Sequence, residues 1–352
     1  MKIMKRSLFS LLILSLLLGT QAQAGNPDRI GEAGATHLLI NPWARSSGWA
    51  GAFTAGVSGL EAMRFNVAGM VRSDNNEVVF SRTNWFQGAD ININSFGIKT
   101  KLSEDAAISA TIMSFDMGDF YTTTEDFPDG TLGTFSPNYT NIGVGFAYAF
   151  SEFTSGGIVV RLVSESIADM NASGVAIDAG IQYRSGEQNR FKLGFALRNI
   201  GPAMQYSGNG IDFRATEDGV LNPTARTLKS RVAPFELPSI LNIGMGYDVV
   251  IMPNGSRFTL AGNFLSNSFG RDNIMLGGEY SYKNILMLRG GFSYEQDILS
   301  EADASSVASG PSAGATFQLP YGDAKNFGID YSFRSTFNKY SGIHSLGVKL
   351  EF

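Results

Sequence analysis

The sequence predicts an all-β fold, a 14-stranded antiparallel transmembrane β-barrel with an N-terminal plug segment. Three observations carry this reading. From Asn76 to the C-terminus, apolar residues recur at every second position, the period of strands with two unlike faces. The second face is mostly Gly and Ala with isolated charges, not the Lys, Glu and Thr of a wetted surface, and this suits a narrow lumen. The connections between strands also sort by length, with the long ones falling on one side of the count.

Composition agrees. Only 17% of the residues are charged and 12% are aromatic, which argues against disorder. Mean hydropathy is −0.01, too polar for a bundle of membrane helices. A polar lumen averaged against an apolar exterior gives about this value. A net charge of −5 leaves no basic footprint for nucleic acid. There is no cysteine, so disulfides, thiolate metal sites and a cysteine nucleophile are excluded.

Residues 1–24 read as a secretory signal peptide. Lys2, Lys5 and Arg6 precede the apolar run Leu8–Leu18, and Ala22-Gln23-Ala24 has the small-residue pattern of a cleavage site. The run is too short to span a bilayer comfortably, which disfavours an uncleaved anchor. Without a cysteine at the cleavage site, a lipoprotein is excluded. Removing three basic residues from a net −5 leaves −8.

Residues 25–75 form the plug segment, expected at the periplasmic or luminal entrance. Asn41–Met70 has no period of 2 and is rich in Gly, Ala and Ser, so its backbone can pack closely on a neighbour. Ala52, Phe53 and Val57, and then Leu60, Met63 and Arg64, are spaced for short helices.

Residues 76–352 form the barrel. Strands are expected near 76–84, 90–101, 105–117, 138–150, 155–168, 172–184, 190–201, 237–250, 256–265, 272–282, 285–296, 309–319, 325–335 and 342–352. In the sixth, Val175, Ile177, Ala179, Ile181 and Tyr183 alternate with Ala176, Asp178, Gly180, Gln182 and Arg184. The small and charged face points to the lumen and the aromatic and aliphatic face to lipid. The long connections, 118–137, 202–236 and 297–308, all follow odd-numbered strands. Outer-membrane barrels have even strand numbers, short periplasmic turns and long outer loops. With the first strand running outward, the long loops are extracellular and both termini are periplasmic. Phe352 ends a strand that is apolar at every second position back to Leu346. A terminal aromatic in that phase resembles a barrel-assembly signal.

No catalytic or metal-binding constellation is present, so no cofactor is expected. The two histidines, His37 and His344, stand in no metal-ligand spacing. His344 has the outward phase of Leu346 and Phe352, which places it at the membrane interface. Its neighbours Ser341 and Ser345 have the opposite phase, which counts against a lipid-hydrolase pair. Charges on the inward face (Arg161, Asp178, Arg184, Lys192, Arg198, Asp248, Glu279, Arg289, Glu295, Asp330, Arg334, Lys349 and Glu351) have both signs. They are read as a network that pairs within the lumen and holds the plug, with a ligand pathway as the alternative. Two loops are candidate partner surfaces. One carries Tyr121, Glu125, Asp126 and Asp129, the other Met204, Tyr206, Ile211, Phe213, Leu221 and Pro223. The carboxylates of the first could also take a cation. Thirty-five residues without structure are usually functional or disordered.

Blocks in order along the chain resemble the PorV/PorQ family, within the broader class of FadL-like outer-membrane barrels. They include Ala33-Gly34-Ala35, Gly51-Ala52-Phe53, Phe65-Asn66-Val67-Ala68-Gly69, Ser164-Glu165-Ser166, Asn199-Ile200-Gly201-Pro202 and Leu288-Arg289-Gly290-Gly291. Gly51 and the Phe65–Gly69 block form the plug motif. Val67 stands where the family has proline, and proline would fix the backbone there, so its absence is expected to loosen the plug turn. The resemblance implies a non-enzymatic, integral barrel of the bacterial outer membrane. It also implies a type IX secretion accessory role, binding the translocon or attachment-complex subunits and the C-terminal signal domains of secreted cargo. FadL-like relatives imply the alternative, a channel for hydrophobic small molecules.

Overall fold

A computed structural model describes residues 24–86, 88–215, 225–253, 255–298, 309–322, 325–336 and 342–352. The expected signal peptide, apart from Ala24, lies outside the described residues, as do Leu221, Pro223 and Ser341.

Fourteen strands form the wall: β1 (Glu77–Trp85), β2 (Ile91–Lys101), β3 (Ala106–Asp116), β4 (Asn138–Ala149), β5 (Thr154–Ile167), β6 (Met170–Ser185), β7 (Phe191–Ile200), β8 (Ile240–Ile251), β9 (Arg257–Asn267), β10 (Asn273–Tyr282), β11 (Leu286–Glu295), β12 (Gly310–Gly322), β13 (Lys325–Arg334) and β14 (Ile343–Glu351). Each is antiparallel to its chain neighbours. β1 pairs with β14 from Glu77↔Glu351 to Asn84↔His344, and the sheet closes. Closure leaves no free edge strand in the wall. The expected 14-stranded barrel is what the chain forms.

The period of 2 sorts the side chains. On β5, Ile158, Val160 and Leu162 are exposed, while Val159, Arg161, Val163 and Glu165 are buried toward the lumen. On β6, Ile177, Ile181 and Tyr183 face out, while Ala176, Asp178 and Gln182 face in. The outward apolar belt runs round the whole barrel, well beyond the patches that water-soluble proteins expose. It is a lipid-facing surface. Exposed Tyr148, Tyr183, Tyr247 and Tyr280 mark one rim, and Tyr294 and Tyr331 the other, as in the aromatic girdles of membrane barrels. His344 is half-buried in the second rim, its Nδ1 2.9 Å from the Tyr331 hydroxyl and its ring 5.1 Å from Phe333.

The two ends differ. One carries short turns, such as 102–105, 150–153 and 283–285. The other carries the long loops 117–137 and 201–239. The first of these contains the ribbon Phe120–Tyr121 with Thr134–Phe135. The second contains Asp212–Ala215 with Arg226–Lys229, so it is not the structureless loop expected.

The wall is least regular between β6 and β7. Pairing slips between Ile177 and Ala179, and β7 stops at Ile200, opposite Ile177. β6 continues to Met170. Asn199 sits at the slip with φ +60. Its N–H donates to Asp178 at 2.7 Å and its side-chain amide to the Pro238 carbonyl at 3.0 Å. Met204 packs on Gly174 above the slip, and Ser207–Gly208 pair with Met170 and Asn171.

The N-terminal segment runs the length of the lumen. At the long-loop end, the Ala24 N–H donates to Asp272 at 2.8 Å, the Gly34 N–H to the Glu236 carbonyl at 3.1 Å, and Arg29 to Glu236 at 2.9 Å. The chain leaves at the short-turn end, where Asn76 and Phe352 exchange backbone hydrogen bonds of 2.9 and 3.0 Å. The two ends of the described chain therefore lie at opposite ends of the barrel. The expectation of two periplasmic termini puts both ends of the chain at one end of the barrel, which the described residues do not do. The strand count fixes where β1 begins; a segment without a period says nothing about the direction from which it arrives.

Candidate functional site

The plug is built from short turns. The α-helical pieces are Ala44–Ser47 and Ala62–Phe65, and a 3₁₀ helix covers Val67–Arg72. Met63 and Arg64 are helical as expected, whereas Leu60, Ala52, Phe53 and Val57 are not. Leu60, Met63, Val67 and Met70 pack on Val79, Ala107, Ala147 and Val159 of β1, β3, β4 and β5. Inward glycines let this contact be close. A Cβ on Gly314 would stand 3.0 Å from the Gly48 Cα, and one on Gly291 2.5 Å from the Trp49 backbone.

The Phe65–Gly69 motif ties plug to wall. Asn66 is buried, and its side-chain oxygen accepts the Ala68 N–H at 3.3 Å, capping the 3₁₀ helix. Its amide nitrogen donates to the Ile181 carbonyl on β6 at 2.9 Å. The Ser155 hydroxyl donates to the Ala68 carbonyl at 2.9 Å. Gln182 donates to the Val57 carbonyl at 2.9 Å. Gly69 donates to the Asn66 carbonyl at 3.0 Å and accepts from Gly59 at 3.2 Å. A Cβ on Gly69 would lie 2.0 Å from the Val57 oxygen. Val67 opens the 3₁₀ helix, a position where the backbone N–H has no helical partner with or without proline. The turn is held by Asn66 on both sides. Gly51 takes φ +87 beside the Met275 sulfur, and Phe65 is half-buried.

The plug leaves two chambers in the lumen. The one toward the long loops has a volume of about 470 Å³ and is lined by Ile40, Phe65, Trp85, Phe86, Leu265 and Met275 together with Arg198, Glu295 and Arg334. The one toward the short turns has about 300 Å³ and is lined by Trp49, Phe53 and a set of cations. The turn Ser46–Gly51 separates them. Ser46 and Trp49 face the lower chamber, while Ser47, Ala50 and Gly51 face the upper. Trp49 stacks on Phe53 with ring centroids 4.3 Å apart.

Most of the inward charges pair. Arg161 lies 2.8 Å from Asp178, Lys192 2.8 Å from Asp248, Arg289 2.6 Å from Glu279 and Arg45 2.9 Å from Asp330. Lys349 bridges Glu77 and Glu351 at 3.0 and 2.8 Å. Glu77 also accepts the Leu60 N–H at 2.9 Å. The pairing is not complete, however. Among the described residues Arg184, Arg198 and Arg334 have no ion-pair partner, and each holds a buried N–H without an acceptor. Arg198 is only 4% exposed. A network read from sequence pairs charges by count, whereas here register and the plug decide which ones meet.

The candidate partner residues divide. Tyr121, Glu125, Asp126, Asp129 and Phe213 are exposed. Among the described residues, no three carboxylates or histidines gather for a metal. Met204 is buried with Ala35, Leu38 and Leu237, and Tyr206 is half-buried with its hydroxyl donating to Glu165. Both fix the loop to the barrel and are not free for a partner. Burial, then the bond to Glu165, pushes the Tyr206 phenol well above its ordinary range, so it stays a donor. His37, unassigned from sequence, joins the same cluster. Its Nε2 is 3.1 Å from Asn141 and its Nδ1 3.2 Å from Glu165. Nothing in the sequence signals this, because its partners lie on β4 and β5.

No protein-family model matches the chain, and no curated protein does. Solved structures do. The Pseudomonas putida toluene transporter TodX aligns with TM-score 0.55 and 14% identity, over 89% of this chain and 98% of that one. The Ralstonia pickettii toluene transporter TbuX gives 0.54 and 12%, over 89% and 98%. A Pseudomonas aeruginosa FadL homologue gives 0.53 and 10%, over 88% and 97%. At this identity the likeness is one of fold: a FadL-like barrel.

Proposed function

We propose that this chain is a non-enzymatic channel of the bacterial outer membrane that conducts small hydrophobic molecules. The carrying observation is the pair of luminal chambers lined from two sides by residues 46–51 of the plug. The upper chamber has the size and mixed lining of a small-molecule site. Its aromatic and aliphatic walls offer an apolar guest a place to leave water. The Trp49–Phe53 stack is the constriction such a guest must pass. The toluene transporters of the same fold support this reading over a sealed adaptor.

The test is uptake of radiolabelled toluene by cells lacking their own hydrocarbon channels. Expression of the barrel should raise uptake several-fold. Trp49→Ala, which removes the stack together with the packing of Trp49 beside Ala261 of β9 and Met275 of β10, should raise it further. Uptake equal to the empty vector would sink the proposal.

One observation favours the type IX accessory reading as a second possibility. Tyr121, Phe127, Leu132 and Phe213 expose apolar surface on the long-loop end, with Tyr121 72% exposed, and such surface fits a protein partner. Affinity purification from solubilised outer membrane should then bring down a translocon or attachment-complex subunit, or secreted cargo. Normal cargo export in a deletion strain would remove this reading.

A further inference from the structure

The lower chamber holds a charge arrangement that hydrocarbon passage does not require. Four cations reach one corner of it: Arg72 from the plug, Arg184 from β6, Lys192 from β7 and Arg257 from β9. Two carboxylates answer them. Asp248 is taken by Lys192, with Nζ 2.9 and 2.8 Å from its two oxygens. Glu279 is divided between Arg257 at 2.9 Å and Arg289 at 2.6 Å.

Arg72 and Arg184 have no carboxylate partner among the described residues. Arg72 donates only to neutral acceptors, the Ser155 hydroxyl at 3.1 Å and the Glu152 carbonyl at 2.8 Å. Arg184 lies within electrostatic range of Arg72 and Arg257, and of one carboxylate, the Asp248 already paired with Lys192. Three guanidinium N–H groups, Arg72 Nη2, Arg184 Nε and Arg257 Nε, are buried without an acceptor.

Like charges gathered in a partly enclosed space repel strongly, and a buried donor without an acceptor is costly. One multidentate anion relieves both. Guanidinium forks match the oxygens of such a group better than ammonium does. Water fills liquid at about 30 Å³ per molecule, so a chamber of about 300 Å³ has room for a phosphate and its remaining hydration.

We propose that the lower chamber is a binding site for a phosphate-type oxyanion, held by Arg72, Arg184 and Arg257. Three arginines from three elements suit a tetrahedral group with several acceptor oxygens. The local excess of positive charge suits a dianion. The Lys192–Asp248 pair completes the wall without competing for the ligand. Either a free phosphate or the phosphate head of an amphiphile presents this chemistry. The site stands independently of hydrocarbon transport.

The test titrates the detergent-solubilised full-length barrel with inorganic phosphate by calorimetry, with sodium chloride at matched ionic strength as the control. Saturable phosphate binding is expected. Arg184→Gln and Arg72→Gln should each weaken it about tenfold or more, Arg184→Lys less. Arg271→Gln, at the long-loop end, should leave it unchanged. Heat-modifiable migration on gels confirms that each variant is folded, and Arg257→Gln replaces any that is not. Phosphorus and lipid analysis of the purified protein separates the sources. Lipid phosphate depleted in Arg184→Gln identifies an amphiphile, and inorganic phosphate depleted there identifies the free ion. Wild-type binding no tighter than chloride, or equal binding in every folded arginine variant, would overturn the proposal.

Discussion

At the scale of single residues, the plug motif shows how little space separates tolerance from disruption. Gly69 meets the Val57 carbonyl so closely that a methyl group would stand 2.0 Å from its oxygen, and that atom is backbone with no room to give. Gly69→Ala should cost about 1–3 kcal/mol through overpacking. Val67→Pro should do the opposite. Asn66 already has φ −155 and ψ 101, the extended conformation that precedes proline readily, and the first residue of the helix needs no N–H. Val67→Pro should leave stability unchanged or raise it by up to about 1 kcal/mol. Urea unfolding in micelles measures both, and equal destabilisation by the two would refute the argument. Asp178 is a third test. It accepts from Arg161 at 2.8 Å and from the Asn199 N–H at 2.7 Å. Asp178→Ala leaves a buried guanidinium and a buried amide unsatisfied, and should cost about 3–5 kcal/mol. The sequence displayed Asp178 and Arg161 as inward charges. It did not display Asn199, whose role depends on a register slip between β6 and β7.

At the scale of elements, the fourteen strands were legible because each declares its two faces within ten or so residues. Ile158, Val160 and Leu162 against Val159, Arg161 and Val163 is a local pattern, and local patterns survive without knowledge of the fold. The plug was legible only as a stretch lacking that pattern. Its contacts, such as Asn66 to Ile181 or Gln182 to Val57, span more than a hundred residues. The long loop after β7 was misread for the same reason. Met204 and Tyr206 look like exposed loop residues, yet β7 ends early and they fill the place beside β6 that a longer strand would take. This makes a prediction about the element. Tyr206→Phe removes the donor to Glu165, a hydrogen bond to a charged group worth about 1.5–3 kcal/mol. Met204→Asp buries a charge against Gly174. Either change should release 201–239 and speed its cleavage by added protease on folded barrels. Phe213→Ala, on an exposed ribbon, should not. Cleavage rates unchanged in all three would show that the loop is held elsewhere.

At the scale of the whole molecule, the separation of the chain ends is the property most open to direct test. The long loops and the short turns define two ends, and outer-membrane barrels turn their long loops outward. The plug enters among the long loops, where Gly25 lies against Asp272, and leaves beside Phe352. The residues that open the plug segment should therefore be at the cell surface and the start of β1 in the periplasm. The protein has no cysteine, so single cysteines report position without background. Asp28 is exposed at the long-loop end, and the Asp74 side chain is 91% exposed at the short-turn end. A membrane-impermeant maleimide added to intact cells should label Asp28→Cys and spare Asp74→Cys. Permeabilising the outer membrane should then expose Asp74→Cys. Labelling of both in intact cells, or of Asp74→Cys alone, would mean that the segment does not thread the lumen in this direction. The result also bears on transport. A plug held at both ends, by the Asn26 and Gly34 N–H groups on the Asn267 and Glu236 carbonyls above and by Lys99 with the Ser73 and Asn75 carbonyls below, is expected to stay in the lumen. Passage would then come from rearrangement inside it, and residues 46–51, which line both chambers, are the stretch to test.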